Sequence, residues 1–248
     1  MANIKIAVIN SSTVLSDDQV KAAVSDLQTQ VHRDFAPIWG IDADLTFFPS
    51  GNKPPTSMWW IAILDDSDQA GALGYHDLTE EGLPLGKVFA ASDKKYGYQW
   101  TITASHELLE MLADPDINLT VFDQKDEKTG TLYAFEICDA CEADQYGYKI
   151  NNTLASDFVY PAWFGAFRKK GNIQLDYGNH IDRPFKLLPG GYIGAYDVTA
   201  GSGWHQKTAD AKPGRYVTSP RLVSRREKRQ TIKNQWQKSQ IRNLKHAC

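Results

Sequence analysis

Apolar and polar stretches alternate along the first 116 residues in a way that predicts six elements in the order β-α-β-β-β-α. The first helix begins with a capping box made by Ser16 and Gln19, and an apolar stripe at helical spacing runs from there to Pro37. Short apolar runs predict the strands, at residues 5–9, 45–48, 59–64 and 87–91. The last of the six elements is a helix, and it contains the candidate catalytic and metal-binding residues.

This helix is predicted from Trp100 to Asp114, where a proline follows, and it contains His106, Glu107 and Glu110. Residues four apart lie about 6 Å from each other on one helix face, so His106 and Glu110 can reach a single ion with Glu107 beside it. This is the HExxH arrangement with glutamate in the second ligand position. In HExxH sites two side chains fix zinc, and the first glutamate takes a proton from the bound water. Because carboxylates also bind zinc, the pattern predicts a metallohydrolase.

Chance placement does not account for the motif. Six histidines and eight glutamates among 248 residues predict roughly 0.006 occurrences of H-E-x-x-E. The competing interpretation is an ordinary amphipathic helix, in which the leucines and Met111 face the core while His106, Glu107 and Glu110 face solvent. The scarcity of glutamate elsewhere in the chain favours the metal site.

Charge is distributed unevenly along the chain. The net charge of −3 combines −13 over residues 1–211 with +10 over residues 212–248, which hold 11 lysines and arginines and one acid. We therefore expect one domain at 1–211, with lobes at about 1–116 and 117–211, and a separable basic C-terminal tail. Such a tail suits docking on an acidic partner or on the acidic body of the protein itself. Nucleic acid is less well supported, because the tail lacks aromatic interleaving apart from Trp236.

Hydropathy predicts no membrane span, and the apolar run at residues 5–9 is too short for the core of a signal peptide. We expect a cytoplasmic protein, or one released without a classical signal peptide, within a phage-type or other assembly. Three cysteines are too few for a disulfide scaffold. We interpret Cys138 and Cys141 as structural thiols, with half of a zinc site or a redox pair as the alternatives. The chain lacks the Gly-rich phosphate-binding patterns and the G-x-S-x-G pattern of serine hydrolases.

The element order that ends on the H-E-x-x-E helix resembles the amino-terminal lobe of zincin metallopeptidases, over residues 1–116 and most sharply over residues 106–110. The resemblance implies an α+β, zincin-like fold with a mixed twisted sheet, an active-site helix and a loop-rich second lobe. It also implies that an edge strand, here within residues 74–88, pairs with the backbone of a peptide or protein substrate. The chain further resembles bacterial and phage-type proteins with an SHExxExxxDP run followed by EIxDxC. That resemblance rests on residues 105–115 and 136–141, and it implies that the two segments meet in space.

Zincin families differ in the third zinc ligand, and the chain departs from each of their patterns. Metzincins place it shortly after the second ligand, at the position of Asp116, although the glycine turn of that pattern is missing here and a proline intervenes. Gluzincins use a glutamate further downstream, which fits Glu136 in the acidic cluster Glu136, Asp139 and Glu142. We rank Glu136 first, Asp139 second and Asp116 third. A solvated strand end is the alternative interpretation of this cluster.

Beyond residue 150 the chain is rich in aromatic residues and glycine, which predicts short strands and fixed loops. We expect Tyr192 and Tyr196 to pack in the core, with stabilisation of an oxyanion as the alternative. His180 and His205 have no spaced partner in the sequence, so neither is counted among the ligands.

The leading hypothesis is a zinc-dependent metallopeptidase that hydrolyses peptide bonds with a metal-activated water. Glu107 would be the general base, and one zinc ion would be held by His106, Glu110 and a third ligand, with Glu136 and Asp139 as the first candidates. The alternative is a catalytically inactive, metal-stabilised structural or binding module in a larger assembly. Catalytic zinc keeps a position open to water, whereas structural zinc is closed by four protein ligands.

Overall fold

The computed structural model describes residues 4–69, 71–166, 173–201 and 203–209, and the basic tail predicted at 212–248 lies outside them. The first half contains β1 (Ile4–Asn10), α1 (Asp17–Thr29), a π-helical turn (Gln30–Phe35), α2 (Ala36–Trp39), β2 (Ala43–Phe48), β3 (Trp59–Leu64), β4 (Gly74–Leu78), β5 (Pro84–Phe89), α3 (Ala90–Tyr96) and α4 (Trp100–Ala113). The second half contains β6 (Thr120–Gln124), β7 (Gly130–Ala134), β8 (Tyr148–Ile150), β9 (Thr153–Ala155), β10 (Tyr192–Asp197), β11 (Trp204–Thr208) and three 3-10 turns (Asp139–Cys141, Asp144–Tyr146 and Pro161–Phe164).

The first half forms a five-stranded mixed sheet in the order β2-β1-β3-β5-β4. Neighbouring strands are parallel except β4, which lies antiparallel to β5 at one edge and places His76 opposite Gly86. The strand predicted at 87–91 spans Pro84–Phe89 instead, because Ala90 begins α3. The sequence did not predict α3, since seven residues are too few to display a complete apolar stripe.

The two faces of the sheet have different cores. Residues two apart on a strand share a face, so Ile6 and Val8 point to one side of β1 and Ala7 and Ile9 to the other. The first side packs against α1 and α4 in the main core, whereas the second side joins a smaller cluster with Leu85 and its neighbours. Helix α4 contacts β3, β4 and β5, so it crosses the sheet beside its antiparallel edge.

The predicted capping box at the start of α1 is confirmed, since the Ser16 hydroxyl accepts from the Gln19 N–H and the Gln19 side chain accepts from the Ser16 N–H. The predicted end of the helix at Pro37 is wrong. The helical chain passes through the π-helical turn and α2 and ends at Gly40, which has φ of 68°. Pro37 is tolerated because it lies at the beginning of α2, where its missing N–H costs little.

The π-helical turn buries Gln30 and directs its amide into α4 and the second half. Its Oε1 accepts a hydrogen bond of 2.6 Å from the Ser105 hydroxyl, while its Nε2 donates to the Ser156 carbonyl and to the Tyr148 hydroxyl. The Ser156 N–H in turn donates to Ser105 Oγ at 3.0 Å. Hydrogen bonds therefore join the π-helical turn, the motif helix and the segment that contains β8 and β9, although the three are distant in sequence.

The second half is built around a four-stranded antiparallel sheet in the order β11-β10-β7-β6, together with the β8-β9 hairpin. The run of residues 126–130, whose Asp and Gly are typical of a turn, connects β6 to β7. Asp126 fixes this turn by accepting from the backbone N–H groups of Lys128 and Thr129. Between β7 and β10 the described residues lie mostly in loops and 3-10 turns.

The α+β class expected from the sequence is confirmed, with few helices and several sheets. Among the described residues, no helix has both the length and the apolar character needed to cross a membrane.

Candidate metal centre

The motif helix is buried along nearly its whole length. Every residue from Ile102 to Ala113 is buried, and His106, Glu107 and Glu110 are 9%, 6% and 3% exposed. The interpretation of these side chains as the solvent face of an amphipathic helix is therefore wrong. They lie between the edge of the five-stranded sheet and the second half of the chain, where ionisable groups need compensating partners.

Glycine at residue 74 lets the edge strand approach the helix closely. A Cβ at this position would lie 2.6 Å from Thr103 Cγ2 and 2.9 Å from Glu107 Cγ, closer than side chains tolerate. A Cβ at Gly86, on the neighbouring strand, would lie 3.5 Å from the Glu107 Cβ. Because His76 shares the face of Gly74 on β4, its imidazole is directed toward the same helix.

His106, Glu110 and Asp139 form the first cluster of metal-ligand type. His106 Nε2 lies 3.3 Å from Glu110 Oε2 and 3.3 Å from Asp139 Oδ1. Ligands at about 2.0–2.1 Å from a tetrahedral zinc ion lie about 3.3–3.4 Å from each other. The two separations from His106 are therefore compatible with a bound metal ion, and the three ligand atoms all lie within 4.8 Å of one another.

Asp139 reaches the helix because the chain after β7 folds into the 3-10 turn Asp139–Cys141, whose backbone packs against Gly191. Just before the turn, the Cys138 N–H donates to Glu110 Oε1 at 3.1 Å. This bond holds one carboxylate oxygen of Glu110 and leaves Oε2 facing His106. The two segments that were expected to meet, 105–115 and 136–141, therefore do contact each other.

His76, Glu110 and Glu136 form a second cluster that shares Glu110 with the first. His76 Nδ1 lies 3.4 Å from Glu107 Oε2 and 3.7 Å from Glu110 Oε2, and its Nε2 lies 3.7 Å from Glu136 Oε2. Glu136, ranked first as third ligand, thus groups with His76, whereas Asp139, ranked second, groups with His106. His76 was missed by sequence reasoning, although its place two residues after Gly74 on the predicted edge strand was the available signal.

The ionisation of the first cluster is strongly perturbed. Burial would lower the pKa of His106, but the charge of Glu110 and hydrogen bonds to Asp139 and Glu110 outweigh it and raise this pKa well above its usual value. Burial, with the nearby charge of Glu110, raises the pKa of Asp139 to about 6. Such shifts are typical of sites where a cation replaces protons, since ligands bind metal in their deprotonated forms.

Two further side chains border this cluster. Tyr192 forms a hydrogen bond with Asp139, and burial together with the Asp139 charge raises the Tyr192 pKa well above its usual value. Burial, reinforced by the Asp139 charge, does the same for the pKa of Glu142. Tyr196 instead packs against Trp204, with ring centroids 5.8 Å apart. The solvated strand end considered for this acidic segment is wrong, because Glu136 and Asp139 are buried.

The other candidates have different surroundings. Asp114 fixes the turn after α4 by accepting from the Asn118 and Leu119 N–H groups, and Asp116 is exposed and belongs to neither cluster. Cys138 and Cys141 are free and buried, and burial raises the pKa of both thiols well above the usual value. A buried neutral thiol is unreactive, which agrees with their interpretation as structural residues.

A third group of ligand-type side chains lies in the loops of the second half, at Asp157, Asp176 and His180. His180 Nδ1 lies 3.1 Å from Asp157 Oδ2 and 3.3 Å from Asp176 Oδ2. His180 is therefore a loop residue that is hydrogen-bonded to a carboxylate, and it lies outside the two clusters that include the motif helix. His205 is exposed on β11 and is absent from all three groups found among the described residues.

Comparison of the chain with protein-family models, with curated proteins and with solved structures gives no match in any of the three.

Proposed function

We propose that the chain is a zinc-dependent metallopeptidase with its metal held by His106, Glu110 and Asp139. The observation that carries this proposal is the pair of 3.3 Å separations from His106 Nε2 to Glu110 Oε2 and to Asp139 Oδ1, since tetrahedral zinc has this ligand spacing at about 3.3–3.4 Å. The buried His, Glu and Asp clusters are compatible with a metal ion in general, and the short spacing and mixed nitrogen and oxygen donors favour zinc.

A zinc ion at this position would act as a Lewis acid and bring the pKa of a water molecule toward about 7. Glu107 follows the first ligand directly on the helix, so its carboxylate stands beside the centre and is suited to accept the proton of that water. Glu107 is 6% exposed, and its Oε2 is held 3.4 Å from His76 Nδ1. Restricted exposure keeps bulk water from competing for this proton transfer.

The antiparallel edge strand supports a peptide as substrate. In zincins an antiparallel edge strand pairs with the substrate backbone, and β4 is the antiparallel edge strand of this sheet. An extended peptide bound by strand addition would present its carbonyl groups at regular intervals along the sheet edge. Tyr192, which contacts Asp139, would be available to donate to a developing oxyanion.

The test is to purify the chain, measure its metal content by elemental analysis, and assay cleavage of a peptide library with and without chelator. Wild-type protein should cleave peptides, lose this activity with chelator and regain it with zinc. Glu107→Gln should retain its metal while losing at least about 100-fold in hydrolysis, because a general base contributes about 10²–10⁴-fold. Glu127→Gln, the same substitution at an exposed turn residue, is the matched control. Protein that cannot be loaded with metal would refute the proposal.

The surroundings of Asp139 favour a second candidate function, a metal-stabilised module without turnover. Tyr192 and Glu142 both interact with Asp139, and a fourth protein donor would close the site as in structural zinc centres. This candidate predicts that chelator lowers the melting temperature sharply while no peptide is cleaved under any loading. Chelator-sensitive cleavage that zinc restores would reject it.

A further inference from the structure

The geometry points to a centre for two divalent transition-metal ions bridged by Glu110, in which His76 and Glu136 hold a second ion beside the one at His106 and Asp139. This inference rests on the proposed metal centre and extends it. It assigns a ligand role to His76, which lies on a different element from the motif, and it gives Glu136 and Asp139 one ion each.

The first argument is the position of Glu110 between two imidazoles. Its Oε2 lies 3.3 Å from His106 Nε2 and 3.7 Å from His76 Nδ1, while its Oε1 is held by the Cys138 N–H. A carboxylate oxygen can bond two cations at once, as in two-metal hydrolases whose ions stand about 3.5–4 Å apart. The single ligand nitrogen that a histidine would present in this position cannot. A bridging role thus gives a chemical reason for glutamate in the last position of the motif.

The second argument is charge. Glu107, Glu110, Glu136 and Asp139 are each 6% exposed or less and lie around two imidazoles, His76 and His106. Ionised carboxylates buried in this way are costly unless cations compensate them. Histidines that bind metal are neutral, so the positive charge opposite these four carboxylates would come from the bound ions. Two divalent ions balance all four.

The third argument is the composition of the second cluster. It repeats the first in kind, with one histidine, one carboxylate of its own and the shared Glu110, and its ligand atoms lie within 4.8 Å of each other. Imidazole with carboxylate suits zinc, iron and manganese, whereas magnesium and calcium prefer oxygen alone. Zn²⁺ and Mn²⁺ are therefore the appropriate probes.

The experiment measures stoichiometry on the full chain. Protein stripped with chelator is titrated with Zn²⁺ by calorimetry, and its retained metal is then determined by elemental analysis after excess ion is removed. We expect about two equivalents for wild type, about one for His76→Gln and for Glu136→Gln, and about two for the control His205→Gln at an exposed position. Circular dichroism and thermal unfolding show whether each variant is folded. If His76→Gln does not fold, Glu136→Gln provides the same test.

A spectroscopic readout separates bridged ions from independent ones. Wild-type protein loaded with Mn²⁺ should give the electron paramagnetic resonance spectrum of a magnetically coupled pair, and His76→Gln should give that of an isolated ion. One equivalent in both wild type and His76→Gln would overturn the second site while leaving the first intact. One equivalent in wild type and none in His76→Gln would overturn the pair by making His76 a ligand of a single ion. No binding at all would refute the proposed centre together with this extension.

Discussion

Two clusters of histidine and carboxylates in this protein look alike in composition but differ in what their oxygens already bind. One is the loop cluster of Asp157, Asp176 and His180. There, Asp157 Oδ1 accepts from the Phe158 and Gly178 N–H groups at 2.8 and 3.0 Å. Asp176 accepts from the His180 and Ile181 N–H groups at 2.8 and 2.9 Å. On the motif helix, in contrast, Glu110 directs one oxygen to a backbone N–H and the other to two imidazoles.

This difference shows that proximity of ligand-type residues does not by itself indicate a metal centre. The carboxylates of the loop cluster are occupied in fixing backbone, which loops require because they lack the regular hydrogen bonds of helices and strands. Burial, together with the hydrogen bond to Asp176, also raises the pKa of Asp157 to about 7, so protonation of this carboxyl reduces the negative charge buried in the cluster. At the helix the oxygens converge on nitrogen ligands, and there we assign the compensation to cations.

The largest expected difference between the clusters is in metal affinity. His106→Ala removes a ligand and should weaken zinc binding by more than about 100-fold, since changes to groups behind the ligands already cost about 10- to 100-fold. His180→Ala should leave zinc affinity and stoichiometry unchanged. Competition titration against a chromophoric chelator measures both. Equal losses of zinc affinity in the two variants would show that the loop cluster is also a metal site.

The second-largest expected difference is in folding stability, and here substitutions in the loop cluster should have the larger effect. Asp176→Ala leaves the buried Ile181 N–H and the partly buried His180 N–H without their acceptor. It should lower the free energy of unfolding by about 1–3 kcal/mol, mostly through the buried group. Asp176→Asn keeps an acceptor oxygen and should cost less than half of this. Urea unfolding of metal-free protein gives both values. A loss in Asp176→Ala that excess zinc fully restores would instead indicate an ion at these loops.

The smallest expected effect is a pH dependence of stability that belongs to the loop cluster. The pKa of Asp157 is about 7 in the folded protein and about 3.9 in an unfolded chain, so between these values the folded state holds a proton that the unfolded state releases. Its contribution to stability is therefore complete below about pH 4 and is lost as the pH rises to about 7.

Asp157→Asn should remove this part of the slope. Unfolding free energies of wild type and variant at about pH 5 and about pH 8 measure it, with exposed Asp116→Asn as the matched control. An unchanged slope in Asp157→Asn would contradict the raised pKa of Asp157.

Much of the local structure could be predicted from sequence. The capping box at Ser16, the turn at Asp126 and the end of α4 at Asp114 depend on residues near each other in the chain, and the structure agrees with each. The end of α1 could not be predicted, because the π-helical turn is stabilised by contacts of Gln30 with residues more than 70 positions away.

The same distinction applies to the candidate site. His106, Glu107 and Glu110 are recognisable because helical spacing places them together. His76 joins them through the pairing of β4 with β5, and the division of Glu136 and Asp139 between two clusters depends on an irregular segment after β7. Periodicity in the sequence contains no information about such contacts between elements.

The hydrogen bonds of Gln30 have a consequence for how the chain folds. A fragment that ended after α4 would contain Gln30 and Ser105 but neither Ser156 nor Tyr148, so buried amide and hydroxyl groups would lose their partners. The division into lobes near residue 116 therefore marks a boundary of architecture and not of cooperativity. The protected amide hydrogens of both halves should therefore exchange through a single global opening. The motif helix should be fully protected only when the second half is folded.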